Sequence, residues 1–517
     1  MEKRTSILGG ALLLTAANLL MRWISIQFNV YISGQIGAAG LGLLQLISTV
    51  GFFAILLGTS GVRVAAMTLA AEEFGHGRPG GVRATVRIAL RLVCALSFAA
   101  GAALVLLAKP IAVGLLRDAN AALSLRAMGL LLPFGCLCGV MTGYFTAGAR
   151  IGELVTIEIA ERLVSVGITV ALLRFWAGAD ISRACCAITL GSSLGCVFDF
   201  ALLYARFRRR MRGIAPQSEG IRRRLTHLSV PLALNDYLRA GLNTAEQLLI
   251  PFGLAYFAGS TEQAMADYGT IHAMVFPVLM FPAAILYSVS DLLIPELSRS
   301  RARGRRRRII DLTDKCIRMT LLFCAAVSGV MLLGAPQLGE LVCRSESAGR
   351  YLRVFAPMIL MLYLDAIVDG MLKGLAEQLS CVRYNTFTSL LDVILLLLLL
   401  PRLGVGGYVL SFALTHGINL WLSLRRLLKV TGHRPRLSDF LRPLGAMLPA
   451  LAAAALLPLV GGALRVLLLR SGIYLLLLTV LVLLFGALRV DDCAWLRRVF
   501  LRLRRREDET KNDRSAA

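Results

Sequence analysis

The chain is short of charge, and of negative charge in particular. Only 17% of its 517 residues are charged, and 31 acidic residues stand against 56 Lys and Arg. Hydrophobic residues make up 57% of the chain, and the mean hydropathy is +0.71. A soluble chain of this length needs a more polar surface. The composition therefore excludes an ordinary cytosolic enzyme, a secreted domain and a disordered protein.

The sequence also lacks the motifs of ATP-driven and zinc-dependent proteins. It has no GxxxxGK[ST] nucleotide-binding loop and no HExxH zinc motif. Its five histidines are scattered, and its 11 cysteines lie mostly in apolar runs, without a CxxC and histidine arrangement. We therefore expect no enzyme, no metal and no cofactor. An ion gradient or the membrane potential would be the source of energy.

Long apolar runs fill the chain instead, and several reach the length of about 18 residues that crosses a bilayer core. They predict an all-α membrane protein with about fourteen transmembrane helices. The predicted spans are 6–32, 42–69, 84–108, 121–147, 152–175, 181–205, 227–257, 268–297, 309–334, 350–374, 380–401, 405–428, 443–468 and 471–489.

Arginine-rich loops alternate with short loops that are poor in Lys and Arg. By the positive-inside rule, this pattern predicts that both termini are cytoplasmic in a multi-pass protein of the cell membrane. It also explains the net charge of +25 without nucleic acid as a partner. The two strongest basic runs, 206–212 and 301–308, either contact anionic membrane lipids or serve only as topology anchors.

The first and seventh predicted spans share a pattern that indicates an internal repeat. Asn18 and Arg22 are four residues apart in one, and Asn235 and Arg239 in the other, so each pair shares a helix face. This predicts two parallel six-helix lobes with a site between them. The predicted domains are residues 1–226, residues 227–430, and residues 431–517 with the last two spans and a basic tail.

Charged residues inside the spans are the candidate site, because they are costly in a bilayer and usually face a bundle interior or a cavity. Arginines suit phosphate and pyrophosphate, since the guanidinium donates paired hydrogen bonds. Alternatively each arginine pairs with a carboxylate, for instance Arg239 with Asp236. The predicted headgroup site in the central cavity consists of Arg22, Arg63, Arg239, Asn18, Asn235 and Glu246.

Two pairs of carboxylates are candidates for ion coupling. Glu158 and Glu161 share a helix face with Arg162, which predicts either an internal ion pair or a proton or cation site. Asp365 and Asp369 are one turn apart and can share a proton or a cation. Lys373, a turn further on, can neutralise them instead.

Glycines and prolines mark two further features. Gly135, Gly139 and Gly143 form a doubled GxxxG, which predicts close approach of a neighbouring helix. Pro231, Pro277, Pro282 and Pro295 should kink or loosen the seventh and eighth spans and free backbone groups for a cavity.

Several segments resemble the stage V sporulation protein B family. They are Ile36–Gln45, Ser288–Glu296, Gly374–Gln378, Arg383–Asn385 and Pro401–Tyr408. That family belongs to the multidrug/oligosaccharidyl-lipid/polysaccharide exporter superfamily and is similar to the MurJ lipid II flippases. The resemblance implies two six-helix lobes in a V shape and two extra C-terminal helices that offer a groove for a lipid tail. It further implies alternating access and a polyprenyl-pyrophosphate-linked saccharide as cargo.

By position, the resemblance makes Arg22 and Arg63 the headgroup-binding arginines, and the repeat adds Arg239. The leading hypothesis is a flippase for a peptidoglycan-precursor-like lipid, in cell-wall or spore synthesis. We expect it to act as a monomer. The alternatives are a multidrug or small-cation antiporter of the same superfamily, a membrane glycosyltransferase or ligase, and a scaffold without transport. The short outside loops disfavour the enzyme, because they leave no room for a catalytic domain.

Overall fold

The structure, a computed structural model, describes residues 7–59, 61–148, 150–178, 180–217, 220–432, 437–458 and 461–487. These residues are helical almost throughout, and none of them lies in a strand. The predicted all-α class is confirmed. The basic tail 489–514 and the first six residues lie outside the described residues.

The chain divides into two compact units, residues 31–269 and residues 1–30 with 270–517. Helix α1, Ile7–Thr59, contains the first boundary. The other helices of the 31–269 unit are α2 (Val62–Gly75), α3 (Pro79–Pro110), α4 (Ala121–Ala147), α5 (Ile151–Leu172), α6 (Ile181–Arg210), α7 (Ile221–Ala258) and α8 (Thr261–Gly269).

The second unit, residues 1–30 and 270–517, begins with the N-terminal part of α1 and a π-helical segment, Thr270–Val275. Its helices then follow in chain order. They are α9 (Phe276–Met280), α10 (Ala283–Ala302), α11 (Arg306–Leu338), α12 (Glu346–Phe355), α13 (Ile359–Gly374), α14 (Gln378–Leu403), α15 (Val405–Thr431), α16 (Leu437–Leu456) and α17 (Ala463–Leu484).

These units differ from the lobes that the repeat predicts. Residues 1–30 pack with 270–517, and residues 227–269 pack with 31–226, so the compact units exchange parts of the first and seventh spans. Packing and internal repetition are different criteria. The division at 226/227 therefore stays a prediction.

Eight helices of the described residues are long and apolar enough to cross a membrane, and a ninth span forms if the bent pair at 261–290 is counted. The other predicted spans fall on helices with charged or polar residues (α5, α7 and α15) and on α16, whose apolar part Leu441–Leu456 is short. Polar residues inside a span lower its hydropathy without shortening its helix.

The boundary between the last two spans was predicted wrongly. The predicted bounds 443–468 and 471–489 put the connection at residues 469–470, but both lie inside α17, which begins at Ala463. The turn comes earlier, after Leu456, where Pro458 and the pair Gly461–Gly462 follow. Proline and glycine end a helix for backbone reasons, whereas a single arginine does not.

The last two helices pack on α11 through small residues. Ala446, Ala450 and Ala454 form the buried stripe of α16. Tyr474 of α17 lies against Gly329 of α11, and its hydroxyl donates to the Ala325 carbonyl at 2.7 Å. A side chain at position 329 would displace that ring, so the glycine sets how closely α17 approaches.

Candidate functional site

The polar face of the first span is satisfied by backbone carbonyls of the loosened eighth span. Arg22 Nη1 donates to the Met280 carbonyl at 2.9 Å, and Asn29 Nδ2 donates to the Ala273 carbonyl at 2.7 Å. In a regular helix Ala273 would accept from residue 277, which is a proline without an N–H.

The Met280 carbonyl is also left without its helical donor. The N–H of Ala284 bonds to Phe281 instead, because the helix breaks before Ala283 and bends there by 59°. The predicted loosening is confirmed in the eighth span, where Arg22 and Asn29 use the free carbonyls. In the seventh span α7 runs through Pro231 as one helix.

Arg22 is held without a counter-ion. Its guanidinium carbon lies 5.8 Å from the centre of the Tyr287 ring, a cation–π contact. It forms no ion pair with a described residue. The side chain is half-buried in an apolar helix, so among the described residues its charge is balanced only by a carbonyl dipole and a ring.

The predicted pair Asp365 and Asp369 lies on α13 in the same unit. Asn419 Nδ2 of α15 donates to both carboxylate oxygens of Asp365, at 3.2 and 3.1 Å. Asp369 is close enough for electrostatic interaction with Asp365, as is Lys373, whose side chain is exposed. One oxygen of Asp369 is buried without a hydrogen-bond partner. The structure brings these groups together as the sequence predicted.

A second carboxylate site in this unit was not among the predicted site residues. Asp392 of α14 is 5% exposed, and its Oδ1 accepts from Ser411 Oγ at 2.6 Å and from Thr415 Oγ1 at 3.2 Å. Ser411, Thr415, Asn419 and Ser423 recur every four residues along α15, and all four are buried. That polar stripe was the signal that could have revealed the site.

In the 31–269 unit, the glycine stripe of α4 receives α2 and the end of α1. A Cβ at Gly139 would lie 3.6 Å from Arg63 Cδ, and one at Gly143 would lie 3.4 Å from the Arg63 carbonyl oxygen. The predicted close approach at the GxxxG motif is confirmed. The Arg63 side chain itself is exposed and forms no ion pair within 4 Å among the described residues.

Glu158 and Glu161 of α5 form a carboxylate cluster with Asp199 of α6. Glu158 interacts electrostatically with Asp199 and Arg63, and Glu161 with Arg162 and Asp199. Gly195 makes room for the cluster, since a Cβ there would lie 2.5 Å from Glu161 Oε1. Carboxylates and arginines therefore share this site.

Helix α7 packs tightly on the α1–α2 break. Gly61 has φ +68°, and a Cβ there would lie 2.7 Å from the Ala233 backbone nitrogen. Tyr237 Oη donates to the Leu57 carbonyl at 3.1 Å. Near the start of α7, Arg224 pairs with Glu72 and lies 3.8 Å from Glu73.

The predicted headgroup residues of α7 are placed as follows. Arg239 is exposed, and it forms no ion pair with Asp236 or any other described residue. Glu246 is half-buried. Asn235 of α7 and Asn18 of α1 lie outside the residues whose side chains the structure describes.

Two observations bear on chemistry other than transport. Over the described ranges, no group of three His, Cys, Asp or Glu side chains is placed to hold a metal ion. The sequence contains one GxSxG spacing, Gly191–Gly195. It lies inside helix α6 and not at the strand-to-helix turn that exposes a catalytic serine.

Comparison with known proteins places this fold. The chain matches the family described as polysaccharide biosynthesis protein over residues 7–301. It is 22% identical to stage V sporulation protein B of Bacillus subtilis (strain 168) over 421 residues, 80% of this chain and 81% of the relative.

Two solved structures share the architecture. The lipid II flippase MurJ, in an inward closed conformation, aligns with a TM-score of 0.69 at 13% identity, over 92% of this chain and 98% of MurJ. An inward-facing MATE-family multidrug resistance transporter of the MOP superfamily aligns with a TM-score of 0.61 at 14% identity, over 80% of this chain and 96% of the transporter. These likenesses confirm the predicted superfamily fold. The chain belongs to the polysaccharide biosynthesis protein family.

Proposed function

We propose that this protein is a flippase that moves a polyprenyl-pyrophosphate-linked saccharide, similar to a peptidoglycan precursor, across the cytoplasmic membrane by alternating access. It is a transporter and not an enzyme. The family match supports a role in polysaccharide synthesis, and the names of its relatives support a role in cell-wall or spore synthesis.

The observation that carries the proposal is the uncompensated charge of Arg22. A cation inside a span normally pairs with an acid, because an unpaired charge is expensive there. Arg22 has only a carbonyl and an aromatic ring. Both are weak partners that a pyrophosphate would replace with paired charge-assisted hydrogen bonds. Arg63 and Arg239 also form no ion pair with described residues, and Asn18, Asn235 and Glu246 complete the proposed headgroup site.

The carboxylates are the proposed coupling groups. Asp365 and Asp369 in one unit, and Glu158 and Glu161 in the other, would take up and release a proton or a cation during the cycle. The electrostatic interaction between Asp365 and Asp369 supports this role, since uptake of one positive charge relieves the repulsion of two nearby carboxylates.

The test is transbilayer movement of a lipid-linked pyrophosphoryl saccharide in proteoliposomes. The proteins compared are the wild type, Arg22→Ala, Arg239→Ala and the control Arg126→Ala, which removes an exposed arginine near the start of α4. We expect movement in the wild type and the control, and loss of movement in both site variants. Arg22→Lys should recover only part of the rate, because lysine keeps the charge but not the paired donors.

An absence of movement in the wild type, with and without an imposed proton or sodium gradient, would contradict the proposal. Equal loss in Arg126→Ala would show that the assay reports general damage.

A cation antiporter is the second candidate, favoured by the carboxylates of α13 and α14. Asp365 and Asp392 accept hydrogen bonds from neutral side chains only, an arrangement that suits cation or proton binding. Uptake of a cationic drug that Asp365→Asn abolishes and Arg22→Ala spares would favour the antiporter.

The remaining features of the proposal concern the setting. Both termini would be cytoplasmic, and the protein would act as a monomer among anionic lipids. Accessibility of single cysteines introduced near each end to a membrane-impermeant thiol reagent in intact cells measures the topology.

A further inference from the structure

The turn between α10 and α11 gathers arginine side chains on one side. After Ala302, Gly304 has φ +62°, a conformation that side-chain-bearing residues rarely adopt. The turn is closed by hydrogen bonds from Gly304 N to the Arg301 carbonyl at 3.0 Å and from Arg305 N to the Ser300 carbonyl at 2.9 Å. This reversal brings the end of α10 and the start of α11 around one pocket.

The pocket holds about 170 Å³. Its lining consists of Glu296, Arg299, Ser300, Arg303, Arg305 and Arg308. Four of the six lining residues are arginines, and one is a glutamate. These arginines are exposed, so water and mobile ions screen part of their mutual repulsion, and an anion bound in the pocket would relieve more of it.

Glu296 cannot balance all four arginines. It accepts from Arg308 Nε at 3.0 Å and from Arg308 Nη2 at 2.5 Å, and it lies 3.6 Å from Arg299 Nη2. Arg308 and Arg299 are therefore both paired with Glu296. Arg303 and Arg305 line the pocket, are exposed, and form no ion pair with a described residue.

Other arginines of the same turn have a different role. Arg301 donates to the Leu375 carbonyl, and the Arg306 guanidinium lies next to Gly432. Those two side chains tie the turn to other parts of its unit. A basic run that only sets topology has no reason to divide its arginines into anchors and pocket-lining residues.

We propose that this pocket, the α10–α11 pocket, binds a phosphate group. Guanidinium donors match phosphate oxygens in pairs, and the volume suits one tetrahedral oxyanion. The turn between α10 and α11 lies in one of the predicted cytoplasmic loops, close to the anionic lipid headgroups of the membrane. The phosphate is thus either the phosphodiester of an anionic lipid or free inorganic phosphate. The inference goes beyond the proposed transport activity and does not depend on the cargo.

The experiment measures ligand-induced stabilisation of the purified full-length protein in detergent. Thermal unfolding is recorded with added phosphatidylglycerol, with phosphatidylcholine, with inorganic phosphate, and with chloride at matched ionic strength. The variants are R303Q/R305Q and the control R208Q/R209Q, which removes two exposed arginines from the other basic run. Since a ligand that binds only the folded state stabilises it, we expect phosphatidylglycerol to raise Tm by at least about 2 °C in the wild type.

The same rise is expected in R208Q/R209Q and should disappear in R303Q/R305Q. If inorganic phosphate gives an equal rise with the same dependence on Arg303 and Arg305, the physiological ligand is free phosphate. Glu296→Gln is a second variant, which removes the competing carboxylate and should enlarge the rise.

The proposal is overturned by any of three results. The first is that R303Q/R305Q keeps the full rise of Tm. The second is that R208Q/R209Q loses as much of the rise as R303Q/R305Q. The third is that neither phosphatidylglycerol nor inorganic phosphate stabilises the wild type and Glu296→Gln.

Discussion

The two compact units solve the problem of an intramembrane carboxylate in different ways. In the 31–269 unit, Glu158 and Glu161 lie near Arg63 and Arg162, so acids and cations share one cluster. In the other unit, Asp365 accepts hydrogen bonds only from the amide of Asn419 among the described residues, and Lys373 interacts with it electrostatically without an ion pair. The carboxylate of Asp392 accepts only from hydroxyl groups of α15.

The difference bears on which charges can change during a transport cycle. A carboxylate beside an arginine leaves an unbalanced cation when it takes up a proton. A carboxylate held by amides and hydroxyls can gain a proton or a cation without that cost. The unit with neutral donors also contains Arg22, the cation without a counter-ion. On the proposed function, that unit would hold the anionic headgroup at Arg22 and the coupling ion at the carboxylates.

The largest expected effect distinguishes the proposed headgroup site at Arg22 from the proposed coupling site at Asp365. Arg22→Ala should lower the rate of lipid-linked saccharide movement by at least about tenfold, because it removes a charge-assisted contact. Asp365→Asn should only weaken it, since the amide keeps an acceptor for Asn419. The measurement is the initial rate in proteoliposomes. The reverse order of effects would make the carboxylates the primary site.

The next effect tests the hydroxyl-bonded carboxylate. Asp392→Ala should lower the free energy of unfolding by about 2 kcal/mol, because the buried Ser411 hydroxyl loses its acceptor. Thr415 retains its bond to the Ser411 carbonyl. Asp392→Asn keeps an acceptor oxygen and should remain near the wild type. Denaturant unfolding in detergent distinguishes them, and equal destabilisation by both would show that the site depends on the negative charge.

A smaller effect tests the packing of the mixed cluster. Gly195→Ala should cost about 1–2 kcal/mol, because the new methyl group meets Glu161 Oε1 and the Ser165 Cβ at 2.8 Å. Gly167→Ala is the matched control in α5, since nothing lies within 4 Å of its Cβ position. The change of Tm relative to the wild type should therefore be negative for Gly195→Ala and positive for Gly167→Ala. If Gly195→Ala is as stable as Gly167→Ala, the cluster is loosely packed.

The smallest effect concerns an acid–arginine pair of the second unit. Glu377, in the turn between α13 and α14, accepts three hydrogen bonds from Arg426 at 2.9–3.0 Å. These bonds, and one from Ser380, hold the pKa of Glu377 below its usual range. A lowered pKa stabilises the fold above the ordinary glutamate value of about 4.3. This contribution to stability is lost as the pH falls below the ordinary glutamate value.

The wild type should therefore have a higher Tm than Glu377→Gln at pH 7, and the difference should shrink as the pH falls through about 4. The Arg426 side chain is 32% exposed, so solvent weakens the pair. A constant difference from pH 7 to pH 4 would show that the ion pair contributes nothing.

The sequence predicted helices and single charges better than it predicted partners. Apolar length decides a span, so most predicted spans coincide with helices. One arginine in an apolar run is conspicuous, which is why Arg22 could be named. Ser411 and Thr415 are ordinary residues in a helix, and only packing shows that they face Asp392. The connection between the last two spans was misplaced because a single charged residue, Arg470, does not end a helix.

The close contact of Gly61 with α7 has a consequence for the evolution of the chain. The backbone at position 61 has positive φ, and the space of a Cβ is occupied by the backbone of Ser229 and Ala233. No compensating change of side chain can create that space, because the obstacle is main chain. Selection should therefore fix glycine at this position in every relative that keeps the contact. Relatives that have lost the glycine should have moved α7 away from α2.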